Sequence, residues 1–149
     1  MKVWAGLYGM VWLAFLELLV AIDPRPPSWS IYVHVGLGLL IVLLAAVNFR
    51  KVRTSRAPGR IKRTVRATLA LSLVAAILGV LLWGEVGTTV PVLLGYSLWD
   101  VLHVLHVVNA LAIFAQAASA ATAFDMWEEK EFERATEPNE IPAPAAPAP

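Results

Sequence analysis

The chain contains no cysteine and few charged residues, and both shortages narrow what it can do. Without cysteine there can be no disulfides, thiolate metal sites, iron–sulfur clusters or covalent c-type haem attachment. Charged residues make up only 15% of the 149 residues, whereas hydrophobic residues make up 58%. This balance excludes an ordinary soluble domain and indicates an integral membrane protein. Any metal or redox chemistry must therefore use nitrogen and oxygen ligands.

Four apolar stretches approach or exceed the length that a membrane-spanning helix needs. A hydrocarbon core of roughly 30 Å requires about 20 apolar residues in a helix. The stretches are predicted at residues 3–22, 30–49, 67–83 and 97–124. Together they predict an all-α fold, a polytopic membrane four-helix bundle over residues 1–126. Tryptophans near the predicted span ends support the same count, because indole rings favour the membrane–water interface.

Basic residues are concentrated in one connection, and this concentration predicts the orientation of the chain. Eight of the twelve Lys and Arg lie between Arg50 and Arg66, around the loop RKVRTSRAPGRIKR. By the positive-inside rule this loop is cytoplasmic, so both termini are predicted on the cytoplasmic side. The proline-rich DPRPPS connection and residues 84–95 are then predicted outside. We interpret the basic cluster as a topology signal, so no nucleic-acid partner is expected.

Residues 127–149 differ sharply in composition from the span before them. Their first part, which contains EEKEFERATEPNE, predicts a charged extension of the last helix into the cytoplasm. The final IPAPAAPAP consists almost entirely of proline and alanine and cannot form a packed core. It is predicted to be disordered or polyproline-like.

Two of the three histidines lie in the fourth predicted span, in the segment LHVLH. An ionisable side chain at membrane depth is costly and indicates a functional site by default. With the predicted topology the second and fourth helices both run inward, so His34, His103 and His106 all lie toward the outer face. Counted from the cytoplasmic boundaries, His34 and His106 differ by only about 4–5 Å in depth. His103 lies about one turn further out.

Glu17 and Gly38 complete the predicted site. Glu17 is the one carboxylate deep in a predicted span, near the level of His34, so it should face the bundle interior and be protonated or hydrogen-bonded. Two histidines at matching depth on parallel helices suit the two axial positions of a haem iron. Gly38, one turn below His34, would give the porphyrin a thin wall. The sequence thus predicts one haem b with His34 and His106 as iron ligands, and His103 as the alternative to His106.

The segments YVHVGLGLLIVLLAAVNFRKVR and LHVLHVVNALAIFAQ, with the basic loop after the first, resemble those of four-helix membrane b-type cytochromes, and in particular one half-module of haem A synthase. The resemblance lies in architecture and histidine placement over approximately residues 1–125. It implies bis-histidine ligation from the second and fourth helices on the extracytoplasmic side, here by His34 and by His106 or His103. In haem A synthase a glutamate precedes the second-helix histidine by one turn, and that position is Ile31 in this chain. The resemblance therefore favours electron transfer over haem hydroxylation.

These observations favour one function and leave others open. The favoured one is a haem b subunit that transfers electrons in a respiratory complex, linked to a quinol, an oxidase or a reductase, without catalysis of its own. We expect other membrane subunits or a second copy of the chain as partners. The expected location is the plasma membrane of a prokaryote, and quinone is a second candidate cofactor beside haem. The alternatives are a haem-modifying enzyme of the haem A synthase type, a non-haem metal site formed by Glu17 and the three histidines, and a purely structural subunit.

Overall fold

A computed structural model describes residues 2–22 and 27–136 and shows four long helices in an up-and-down bundle. The helices are α1 (Val3–Ile22), α2 (Ser30–Thr54), α3 (Gly59–Trp83) and α4 (Leu98–Thr136). Each is long and apolar enough to cross a membrane, since about 20 residues suffice. The predicted helical fold with four membrane-span-like helices is confirmed, and it is the architecture of a multi-pass membrane protein.

The helices on either side of the basic loop are longer than their predicted apolar spans. Together α2 and α3 take up most of that loop and leave only residues 55–58 between them. Ser55 ends α2 in an extended conformation, and its hydroxyl donates to the Val52 carbonyl and accepts from the Ala57 N–H. Hydropathy detects only the apolar part of a helix, which explains why the polar turns at these ends were not predicted.

Helix α4 is 39 residues long and continues to Thr136 as an exposed, charged extension beyond the bundle. Residues 23–26 of the predicted DPRPPS connection lie outside the described residues. The same holds for residues 137–149, which comprise the end of the predicted charged extension and the whole predicted Pro-Ala tail. What the structure describes at this end is therefore a helix whose residues 128–136, more than two turns, are all exposed.

Neighbouring helices pack in sequence order, and α4 also packs against α1, which closes the bundle. As a result α2 and α4 lie diagonally across the bundle from each other, as do α1 and α3. The two helices that carry histidines thus face each other through the bundle axis. Sites in helix bundles are commonly built in this way, from side chains on facing helices.

Burial is concentrated in the part of the bundle that contains the α2–α3 turn, which we call the turn half. Two clusters of buried apolar residues fill it: Leu7, Val52, Ala57, Ile61, Val65, Ala120, Ala121 and Phe124, and Met10, Ala14, Ile41, Ala45, Ile113 and Ala117. The opposite end, residues 15–40 and 73–108, we call the site half. None of its described residues is buried. The bundle therefore has a tight core at one end only.

The segment between α3 and α4 folds into a short hairpin that hydropathy did not predict. Strand β1 (Pro91–Leu93) pairs antiparallel with β2 (Tyr96–Ser97). Leu94 and Gly95 between them have φ of 51° and 84°, as a two-residue type I′ turn requires. Gly87, just before the hairpin, has φ +82°, and a Cβ added to it would lie 2.7 Å from Leu98 Cβ. Both its backbone conformation and the space around it thus require glycine.

We expect Gly87→Ala to lower the melting temperature of the protein in detergent. Alanine is strained at this positive φ and would overlap Leu98, at a cost of about 1–3 kcal/mol. Gly36→Ala is the matched control, because Gly36 is helical and a Cβ there meets no atom within 4 Å. That change should be neutral or slightly stabilising. Circular-dichroism melts check both variants, and equal melting temperatures would contradict the steric argument.

Candidate functional site

Glu17 and His34 form a close contact between α1 and α2. His34 Nδ1 lies 2.9 Å from Glu17 Oε1, and the two side chains are 29% and 13% exposed, His34 first. The separation is within hydrogen-bonding range, although the ring N–H is not aligned for a linear hydrogen bond. The second carboxylate oxygen, Oε2, is buried without a partner among the described residues. The pair is therefore a polar contact held away from solvent with spare hydrogen-bonding capacity.

The spacing of buried residues along α1 and α2 explains why these two side chains face inward. On α1 the buried residues Met10 and Ala14 precede Glu17, and on α2 His34 precedes the buried Ile41. Residues three, four or seven positions apart share one face of a helix. The face that forms the core in the turn half is therefore the face that presents Glu17 and His34 to the interior in the site half.

His106 meets His34 across the bundle diagonal. The two ring centroids are 6.0 Å apart and the ring planes are inclined by 65°. On α4, His106 continues the inward face of the buried Asn109 and Ile113, three and seven residues later. His106 Nδ1 is buried and has no hydrogen-bond partner in the described part of the chain. The structure thus brings Glu17, His34 and His106 together in the site half.

Two glycines lie directly against this cluster. A Cβ added to Gly38 would lie 3.7 Å from Glu17 Oε1, and one added to Gly79 would lie 3.5 Å from His106 Cε1. At both positions a methyl group would make ordinary van der Waals contact with the neighbouring side chain. The sequence pointed to Gly38 as a wall for a porphyrin, which stays a prediction. What the structure shows is that Gly38 leaves room for the Glu17 carboxylate.

His103 is not part of the cluster. Its side chain is exposed, and its ring packs edge-on against Trp99 with centroids 5.1 Å apart. Asp100 caps the start of α4, since its carboxylate accepts from the Ser97 N–H at 2.8 Å and from the Ser97 hydroxyl at 2.7 Å. These residues lie at the start of α4, N-terminal to His106.

The cluster offers two imidazoles from opposite helices rather than a closed set of metal ligands. No group of three or more His, Asp or Glu side chains placed to hold a metal ion occurs within residues 2–22 and 27–136. His34 and His106 approach from opposite helices, and Glu17 Oε1 lies beside His34 Nδ1. A carboxylate at Nδ1 favours the proton on that nitrogen and leaves the Nε2 lone pair free to bind a metal. The proposed four-residue non-haem site, which includes His103, stays a prediction.

Sequence reasoning did not single out Asn48, whose buried side chain joins two helices. Its Nδ2 donates to the Gly6 carbonyl at 2.9 Å. The signal was present, because Asn48 is a lone amide on the inward face that otherwise carries Ile41, Ala45 and Val52. An amide at such a position is rarely tolerated in a membrane helix unless it finds a partner.

No family model, curated protein or solved structure matches this chain. The functional argument therefore rests on the geometry of the Glu17, His34 and His106 cluster and on the general chemistry of these side chains.

We expect the Glu17–His34 contact to be visible in a double-mutant cycle. Glu17→Leu and His34→Leu should each destabilise the bundle, and the double variant should be less destabilised than their sum by about 1–2 kcal/mol, since removal of one partner leaves the other unpaired. Reversible unfolding in mixed micelles measures this. The matched control pairs Glu17→Leu with His103→Leu, for which the coupling should be zero because His103 is exposed and stacks on Trp99. An equal coupling in the two cycles would contradict the contact.

Proposed function

We propose that this protein is a haem b-binding membrane subunit that transfers electrons, with His34 and His106 as the axial ligands of one haem iron. The observation that carries the proposal is the approach of two imidazoles across the bundle diagonal, with ring centroids 6.0 Å apart. Two imidazoles bound on opposite sides of one metal, at bond lengths of about 2 Å, hold their centroids roughly 6 Å apart. Ligation of both axial positions by imidazole favours electron transfer over oxygen binding.

The residues around the pair fit such a group in three respects. Glu17 beside His34 Nδ1 leaves Nε2 as the nitrogen available to iron. Gly38 and Gly79 keep side chains away from Glu17 and from the His106 ring. None of the described residues of the site half is buried, so binding of a flat apolar ring there would not have to displace a tightly packed core. Entry into a packed core would require much larger rearrangement.

Each residue of the cluster has a distinct task in this proposal. When bound, haem supplies a one-electron redox couple. His34 and His106 hold the iron from α2 and α4, and Glu17 keeps the His34 ring in one tautomer and orientation. The apolar side chains of the site half lower the local dielectric, which is one of the means by which a protein sets a redox potential.

The proposal extends to orientation and partners. The basic residues around the α2–α3 turn favour the cytoplasm for that turn and for both termini, which puts the cluster toward the extracytoplasmic side. We propose the plasma membrane of a prokaryote as location and, as electron partners, a quinol or a neighbouring oxidase or reductase. Other membrane subunits or a second copy of the chain would then surround the bundle.

A haem-modifying activity of the haem A synthase type is the second candidate. One observation favours it, namely that a largely buried carboxylate on α1, Glu17, lies against the proposed ligand His34. The two candidates differ in the pigment that they leave behind. Mass spectrometry of the extracted haem separates them, because an electron-transfer subunit retains unmodified haem b whereas a modifying enzyme carries oxidised product.

We expect the protein, purified in detergent from haem-replete cells, to show the visible spectrum of a low-spin b-type haem. His34→Ala and His106→Ala should each abolish it, because each removes an axial ligand. His103→Ala is the matched control on the same helix as His106 and should keep the spectrum, since His103 stacks on Trp99 away from the cluster.

Other outcomes of this experiment decide among the alternatives. Colourless wild-type protein would contradict the haem proposal, and elemental analysis would then favour a non-haem site if metal is present or a structural role if it is not. Loss of haem in His103→Ala with retention in His106→Ala would contradict the ligand assignment.

The absence of cysteine allows the proposed orientation to be tested with single-cysteine variants. In intact cells a membrane-impermeant maleimide should label Thr88→Cys, in the α3–α4 segment, and should not label Thr54→Cys, at the α2–α3 turn. Both positions are exposed, so both should react after lysis, which serves as the control. The opposite pattern in intact cells would reverse the topology.

A further inference from the structure

Each of the two histidine-bearing helices also carries one buried asparagine that binds the helix before it. Asn48 Nδ2 on α2 donates to the Gly6 carbonyl on α1, and Asn109 Nδ2 on α4 donates to the Leu71 carbonyl on α3, both at 2.9 Å. Asn48 is only 1% exposed and Asn109 only 9%. Neither belongs to the proposed ligand set, so their role is not explained by haem binding.

These asparagines differ from the other buried polar side chains. Thr68 and Ser72 are also buried, but each hydroxyl donates to the carbonyl one turn earlier in its own helix, at 2.9 Å. Such bonds do not fix one helix against another. Among the buried polar side chains of the described residues, only Asn48 and Asn109 bridge two helices.

Each asparagine bridge joins the same two helices as one contact of the cluster, so a shift of one helix along the other would disturb both. In the antiparallel pair α1 and α2, the Gly6–Asn48 bond lies in the turn half and the Glu17–His34 contact in the site half. Sliding one helix along the other by a single turn displaces it by about 5.4 Å. Such a displacement would separate His34 Nδ1 from Glu17 Oε1, which are now 2.9 Å apart.

The second pair of helices repeats this arrangement. The Asn109–Leu71 bond joins α4 to α3 one turn from His106, which lies against Gly79 of α3. A rotation or slip of α4 that broke this bond would also turn His106 away from His34. Asn48 therefore aligns the helix of His34 within the α1–α2 hairpin, and Asn109 aligns the helix of His106 within the α3–α4 hairpin.

The distribution of burial explains why such anchors are needed. Apolar helices in lipid have no hydrophobic preference for one register over another, so close packing and hydrogen bonds must select it. The site half has no buried residue among those described, so it has no packed core that could align its own side chains. Alignment must come from the turn half, where both asparagines lie.

We propose that Asn48 and Asn109 are positioning residues that fix the axial register of α2 and α4, and thereby bring His34 against Glu17 and against His106. The inference rests on the proposed function only where haem serves as the readout. The alignment of the three side chains is a property of the bundle itself.

Distances between spin labels test the register without haem. Because the chain has no cysteine, label pairs can be introduced at exposed positions that are offset along the bundle: Leu19 with Val47 for α1 and α2, and Ile77 with Ser119 for α3 and α4. Asn48→Leu should shift or broaden the first distance distribution, and Asn109→Leu the second, by up to about 5 Å, one helical turn.

Ser72→Ala is the matched control, because it removes a buried hydrogen bond that lies within one helix. It should leave both distance distributions unchanged, and Asn48→Gln or Asn109→Gln, which keep an amide donor, should restore the wild-type distribution. Wild-type distances in both leucine variants would overturn the inference. If Asn48→Leu does not fold, Asn48→Ser, whose side chain is too short for the bond to Gly6, is measured in its place.

Haem provides the readout that separates this inference from the proposed function. In haem-loaded protein, Asn109→Leu should shift the electron paramagnetic resonance g-values and the midpoint potential, whereas Ser72→Ala should keep both at their wild-type values. Wild-type protein without haem would refute the proposed function and leave the label distances to decide the inference. Haem-loaded leucine variants with wild-type g-values and distances would refute the inference alone.

Discussion

A polar group inside a lipid-embedded bundle is costly unless it finds a partner within the protein, because the bilayer core contains no water to replace one. This constraint accounts for the principal polar contacts of the described interior. The Glu17 carboxylate lies against His34, and two asparagine amides bind backbone carbonyls of neighbouring helices. The helices are otherwise apolar and could pack in several registers. The few polar contacts therefore select the one arrangement in which the histidines meet.

The bundle divides its tasks between its two ends. The turn half contains the buried apolar clusters and the inter-helix amide bonds, so it supplies stability and alignment. The site half contains the ionisable cluster and no buried residue among those described. A packed interior resists the entry of a large planar ligand, since it is as dense as a crystal of small organic molecules. The cluster thus lies in the half of the bundle that is less tightly packed.

The geometry of the cluster distinguishes among the chemistries that a histidine-containing membrane bundle can support. A tetrahedral metal site requires three or four converging ligands, whereas here two imidazoles approach each other and the carboxylate contacts one of them. The exposed His103 is turned to Trp99. The proposed axial ligation of a planar cofactor rests on these two neighbouring imidazoles and on the carboxylate beside His34 Nδ1.

The sequence by itself determined the number of spans, the bounds of α1, and the similar level of His34 and His106, because hydropathy and the rise per residue are properties of one helix at a time. It did not determine the polar ends of α2 and α3 or the β1–β2 hairpin. Tertiary structure decided which side chains meet: that His106 and not His103 faces His34, and that Glu17 lies against His34. The physical reason is that these contacts depend on the rotation and register of helices against one another. A run of apolar residues fits many rotations equally well.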